Sequence, residues 1–596
     1  MSKYSVHQEP INTLLTWIKT KDVAVPEIQR PFVWSSIQVR DLIDSLYKGY
    51  PVGYIIIWRN PNIRLKDGKL SDGKRILIDG QQRITALNAA ILGESVLNKY
   101  YEKYKIKIAF HPLDRKFEVL NPAIEKDSLW IKDISPVITN EVRTSQLIRH
   151  YKDTNPLTDE IQIEDAVEEL KAILNKPIGI IELAHDLDIE TVTEIFIRIN
   201  SKGTILSQAD FVMSKIAADE KYGGNTIRKC IDYFCHIYME PEYMEHIIEN
   251  DVEYTKTGFY RESNWIAKSD DELYYPEYSD ILRVAFTYKF NRGKFSDLVS
   301  LLSGRNFEKK IFEEAISENS FTQLKEGILG FINQTNYERF VMIIQSIGFY
   351  ENDFIISKSA LNFSYVIYLK LKDLKYSSSN IESFVKKWFV LSILTSRYSG
   401  SSESAIDYDI RSINEKSIDK YLAEIESSEL GDAFWENGLY QDLDSSSLYN
   451  PAFTTFIALQ VRNNRRGFLS KDITIKNMLD NRGDIHHIFP KDILKKLGYG
   501  RSVYNKVANQ VYAQQEINIK IGKKEPYQYM EIVKTQCETG VLKLGNISDH
   551  KDLLKNLQEN AIPTEIFDYT IEEYDTFLNQ RRRLIAMEIR KFYENL

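Results

Sequence analysis

At 596 residues, with 43% hydrophobic and 27% charged side chains, the chain is long enough for about three or four cored domains and too evenly mixed for wholesale disorder. A net charge of −8, from 77 basic against 85 acidic residues, excludes a polycation that coats nucleic acid over its whole surface. No apolar run approaches the roughly 20 residues of a membrane span, the start MSKYSVHQEPINTLL lacks the apolar block of a secretory signal, and Cys230, Cys235 and Cys537 are too scattered for a disulfide framework or a four-cysteine zinc site; the reading is a cytoplasmic protein with reduced thiols and no membrane partner.

The first 215 residues alternate strand-like and helix-like segments, predicting an α/β domain. WSSIQVRDLIDSLYKGYP places Ser35 as an N-cap, Ile37, Leu42, Ile43 and Leu46 near helical spacing, and Gly49 and Pro51 past the end. GYIIIW (53–58) and RILID (75–79) read as buried strands joined by a basic loop. KIKIAF and KFEVL read as a further strand pair, and IGIIEL as another buried strand. After RILID the chain turns at Gly80 and starts a helix with Ile84, Leu87 and Ile91 on its inner face. Unpaired N–H groups and the positive end of the dipole make such a place attractive to phosphate; Arg83 can pair with it, and Gln81 and Gln82 can donate. A Walker A pattern is absent from the sequence, which excludes a P-loop NTPase.

From 216 to 442 the pattern is mostly helical, with aromatic residues at core spacing, as in YERFVMIIQSIGFY. LDSSSLYNPAF (443–453) opens a third region, 443–596, that ends in an amphipathic helix whose Arg581, Arg582, Arg583 and Arg590 are available for phosphate or solvent. Within it lies DIHHIFPKDIL (484–494), followed by YNKVANQVYAQQEINIKIGKKEPYQYM (504–530). The 45 residues from Arg482 to Pro526 hold nine basic and four acidic side chains, a local excess of five positive charges in an acidic chain. Hydrolysis of a phosphodiester needs a base that activates water and a cation that neutralises charge at the phosphate. The adjacent histidines, with Asn509, the strand-like QVYA and Asn518 downstream, supply groups of that kind.

HHIFP followed by Asn509 and, nine residues later, Asn518 resembles the ββα-metal (His-Me finger), HNH-type nuclease motif. The resemblance implies His487 as general base and His486 and Asn518 as metal ligands. It makes Asn509 the residue that orients the His487 ring. A histidine stands where that family often has an aspartate, so Mn²⁺ should be accepted beside Mg²⁺; Asp484 is a nearby carboxylate that the motif spacing does not assign. Lys520, Lys523 and Lys524 are the DNA-contacting candidates.

IQRPFVW (28–34), IDGQQRITAL (78–87) and IFIRINSKGTILSQADFV (195–212) together resemble the ParB/sulfiredoxin-like N-terminal domain of the GmrSD family of modification-dependent restriction enzymes. Carried over, Gln29, Arg30, Asp79, Gly80, Gln81, Gln82 and Arg83 bind a nucleoside triphosphate (GTP, UTP, CTP or ATP, undetermined). Arg198 and Asn200 match a third family motif. The resemblance implies an α+β, multidomain chain: a ParB-like sensor at 1–215, a helical middle at 216–442 and an HNH-type nuclease domain at 443–596. The implied activity is modification-dependent, metal-dependent endonucleolytic cleavage of double-stranded phage DNA, as nick or double-strand cut, under control of NTP hydrolysis. SspE-like sensors of phosphorothioate DNA share the plan, and a homodimer is left open. The rival reading is a nucleotide-switched DNA-binding protein with no cleavage activity, its histidines structural; a third places nuclease chemistry in the N-terminal domain as well.

Overall fold

Helices dominate the computed structural model (63%), and its short strands form small sheets, a multidomain α+β architecture. It describes residues 3–20, 22–24, 34–59, 75–97, 103–187, 191–192, 195, 208–269, 271, 273–481 and 484–596. Two compact units emerge: Met1–Tyr260 with Phe295–Thr322, and Arg261–Lys294 with Gln323–Leu596. The helical middle at 216–442 is thus divided between them.

The first unit is built on a mixed five-stranded sheet of β1 (Tyr4–Pro10), β2 (Val23–Ala24), β3 (Tyr54–Arg59), β4 (Arg75–Asp79) and β5 (Pro177–Leu183), in the order β1-β5-β3-β4-β2. β3 is central, parallel to β5 and antiparallel to β4. Its unbroken apolar run follows from burial on both faces: Ile55 and Ile57 join the main core, while Ile56 and Trp58 pack with Leu183 and Val192 on the other side. Helix α1 (Ser36–Tyr47) begins with a reciprocal Ser35–Gln38 capping box. Val39, Leu42, Ile43 and Leu46 face the core, whereas Ile37, which shares the helical spacing of Leu42, Ile43 and Leu46, is 57% exposed. The predicted pair after α2 (Gln81–Ile91) forms an antiparallel ladder in which Ile108 faces Val119.

The second unit is mainly helical. Its helices include α3 (Tyr278–Phe290), α4 (Lys358–Asp373), α5 (Ser378–Leu394), with Trp388 fully enclosed, and α6 (Ser402–Lys416). Near its C-terminal end β6 (Asp484–His487) and β7 (Gln510–Ala513) pair antiparallel, Asp484 opposite Ala513 and His487 opposite Gln510. Helix α7 (Gln515–Ile521) follows directly, its Ile517 and Ile521 buried in a core with Ile488, Phe489, Val511 and Tyr529.

The last helix, α8 (Tyr574–Glu594), corrects one sequence reading. Arg581 is only 1% exposed and donates to the carbonyls of Ala508 (2.9 Å), Gln510 (2.7 Å) and Asn560 (3.2 Å). Arg582 pairs with Asp444 at 3.3 Å, and Arg590 with Asp432 and Glu594. Backbone acceptors inside the domain require donors, and Arg581 supplies them to the turn that leads into β7.

Candidate active site

Alternation along a strand sends residues two apart to one face. On β6 this puts Asp484 and His486 together, and α7 meets both through one side chain. The Nδ1–H of His486 donates to Asn518 Oδ1 at 2.7 Å, and Asn518 Nδ2 donates to Asp484 Oδ2 at 3.4 Å. Burial of Ile517 and Ile521 fixes the rotation of α7 and so holds Asn518 against the strand. Asp484, left unassigned by motif spacing, therefore belongs to the cluster.

His486 is 3% exposed, lies parallel to the Phe468 ring at 6.1 Å, and has a buried Nε2 with no hydrogen-bond partner. Burial pushes its pKa down to about 4, with the Asn518 bond opposing and His487 assisting, so the ring is neutral. His487 is half-buried, and its Nε2–H donates to Asn505 Oδ1 at 3.0 Å. Burial also lowers its pKa, opposed by the Asn505 bond and assisted by the nearby Lys491 charge. With Nε2 committed to Asn505, Nδ1 carries the lone pair, the tautomer a proton acceptor requires.

Asn509 does not orient the His487 ring, contrary to the sequence reading. It is fully buried; its Oδ1 accepts from the Phe489 N–H (2.8 Å), and its Nδ2 donates to the carbonyls of Phe489 and Tyr504, each at 3.1 Å. The reason is local. The chain leaves the β6–β7 ladder after His487, and the polar groups that follow need partners. Asn509 supplies them, its own carbonyl accepting from Ile488 N–H at 2.9 Å. The ring-holding role falls to Asn505, which no sequence pattern marked.

The three lysines differ. Lys520 is exposed, Lys523 is exposed and paired with Asp492 at 3.2 Å, and Lys524 donates to the Lys520 carbonyl at 2.7 Å.

Among the described residues, no group of three or more His, Cys, Asp or Glu side chains is placed to hold a metal ion. The cluster on β6 and α7 instead combines one imidazole, one amide and one carboxylate, a donor set that suits Mn²⁺ or Mg²⁺. The unpartnered Nε2 gives the ring a second nitrogen to carry its proton once Nδ1 offers a lone pair. These residues fit a cation.

In the first unit, β4 ends at Asp79 and Gly80 turns the chain into α2 with φ +99°. A Cβ there would stand 2.4 Å from Ile55 Cδ1, so both the conformation and the close approach demand glycine. Arg83, one turn along, is 3.8 Å from Asp79 and donates to the Tyr54 carbonyl at 3.1 Å. Asp79, Gly80, Gln81, Gln82 and Arg83 are thus gathered at one strand–helix junction. Gln29, Arg30, Arg198 and Asn200 lie outside the described residues.

Residues 11–217 match the family model described as GmrSD restriction endonuclease, N-terminal domain, which supports a GmrSD-type restriction endonuclease. An uncharacterized protein of Methanocaldococcus jannaschii, MJ0686, is 23% identical over 623 aligned positions, covering 95% of this chain and 96% of its own length. That alignment takes in both the GmrSD-type region and the histidine cluster. No helix among the described residues is long and apolar enough to cross a membrane.

Proposed function

We propose that this GmrSD-type restriction endonuclease cuts modified double-stranded DNA with an HNH-type site formed by β6, β7 and α7, under control of a nucleoside triphosphate bound by a ParB-like N-terminal domain. The observation that carries the reading is the His486–Asn518 bond at 2.7 Å, which joins strand to helix one residue before His487, whose own ring turns to Asn505. His486, Asn518 and Asp484 would hold the divalent cation. When bound, that ion supplies positive charge at the scissile phosphate. His487 Nδ1 takes the proton of the attacking water, and Asn505 holds the ring in the required tautomer. Asn509 and Arg581 keep the turn before β7 in place, and Lys520 and Lys523 attract the phosphate backbone.

At the other site, Gly80 lets the chain turn so that the start of α2 faces a triphosphate. Arg83, now shared between Asp79 and Tyr54, changes partners when phosphate enters. By the family resemblance, Gln29 and Arg30 are further nucleotide-binding candidates, and Arg198 and Asn200 a further motif match.

The test is purified full-length protein with Mg²⁺ or Mn²⁺ on unmodified, glucosylated and phosphorothioated plasmid, with and without each NTP. Nicking or linearisation by the native chain, lost in His487→Ala with NTP binding retained, is the expected result. Retained cleavage by His487→Ala overturns the base assignment. DNA binding without metal-dependent cleavage, in the presence of every NTP, favours the nucleotide-switched binding protein instead.

A further inference from the structure

We propose that a cavity of about 450 Å³ between α3, α4 and the end of α6 binds a small organic anion, its charged group between Lys289 and Lys370 and its body against Ile367, Leu371 and Ile413. The volume is that of a ligand pocket, and the lining is of the kind such pockets have, an apolar wall with a few convergent polar groups. The nuclease reading uses none of these residues.

The charges inside are unevenly matched. Asp373, the acid of the lining, accepts from the Tyr288 hydroxyl at 2.5 Å and is 3.6 Å from Lys289. Lys289 also lies 3.7 Å from Glu326 and 4.4 Å from the Tyr288 ring centroid. Lys370 has no such partner: its Nζ donates to the neutral amide oxygen of Asn291 at 2.5 Å, and no described carboxylate lies within ion-pair distance of it. A half-buried ammonium without an anion is costly, and the cavity leaves room for the anion to come from outside. Burial holds Lys370 down at about 8, against the pull of Asp373 and with the push of Lys289. An entering anion would favour its charged form.

The test treats the full-length chain at about pH 7.5 with pyridoxal 5′-phosphate, an aromatic phosphate bearing an aldehyde. The neutral amine of Lys370 adds to the aldehyde carbon, water leaves, and hydride from added borohydride reduces the imine to a stable secondary amine that mass spectrometry maps. Because far more of this amine is neutral than of an ordinary lysine with pKa ~10.4, Lys370 should label about tenfold or more ahead of exposed lysines such as Lys523. Pyridoxal, which lacks the phosphate, and the variant Lys289→Met should each lower Lys370 labelling by about tenfold, because each removes one half of a charge pair worth about 1.4 kcal/mol. Competition by adenosine monophosphate against benzoate assigns the head group. Lys370→Met removes the first-labelled site; should that variant fail to fold, the pyridoxal control on the native chain decides. Label spread evenly over surface lysines, equal labelling by pyridoxal, or protection by neither competitor overturns the proposal.

Discussion

Asn505 offers the sharpest test of the proposed chemistry, because its only visible contact with the reaction is the 3.0 Å bond to His487 Nε2. Asn505→Ala removes the acceptor that fixes the tautomer. A neutral hydrogen bond of about 1 kcal/mol net corresponds to about a fivefold shift toward the tautomer whose Nδ1 cannot accept a proton. Loss of ring placement multiplies this, so cleavage at neutral pH should fall about 10- to 100-fold while DNA affinity is unchanged. The pH profile adds a sign. The Asn505 bond raises the His487 pKa against burial, so Asn505→Ala lowers it and moves the acid limb of the rate to lower pH. Asn505→Asp places a carboxylate against the imidazolium and moves the limb to higher pH. Initial rates of supercoiled-plasmid nicking from about pH 5 to 9 at saturating Mn²⁺ measure both effects. Rates within about twofold of the native chain, with all three acid limbs superimposed, would refute His487 as the base.

Further outcomes follow from buried groups. In EDTA, His486 at about 4 against an ordinary 6.5 takes up a proton on unfolding, so stability is full above pH 6.5 and falls as pH drops toward 4, by about 3 kcal/mol; denaturant melts of the native chain and His486→Gln should converge at the acid end. Arg581→Met leaves the carbonyls of Ala508, Gln510 and Asn560 without their donor. Relief from burying a guanidinium whose pKa is pulled down to about 9 offsets part of this, giving a net loss of about 2 to 4 kcal/mol in urea melts. Gly80→Ala meets both the positive φ and Ile55 and should destabilise the first unit by about 1 to 3 kcal/mol, with loss of nucleotide binding in calorimetry. Lys520→Ala should weaken binding to all DNA sequences alike and reduce the slope of log affinity on log salt by about 1.

What could be read from residue order was whatever depends on neighbours along the chain. RILID and QVYA are strands at the residues expected, and Ser35 caps its helix, because alternation and capping act over two to four residues. Asp484 was legible too: a residue two before His486 on a strand shares its face, and counting motif positions hid what counting strand positions reveals. Ile37 differs for the opposite reason, since helical spacing gives a stripe but the elements packed against α1, chiefly the strand Lys116–Val119 and α2, decide where the stripe ends, and Val39 took the inner place. Arg581 and Asn505 were out of reach. Arg581 is buried to serve carbonyls about 70 positions earlier, and a charged side chain at a core position leaves no mark distinct from a solvated one. Asn505 acts on His487 across 18 positions of an irregular connection, and the cavity near Lys370 is closed by helices far apart in the chain. In each case the deciding quantity is an unpaired polar group that another element must satisfy. Motif spacing predicts the donors and ligands on one element; the partners that set their tautomer, charge and rotation come from wherever the fold has an unmet hydrogen bond.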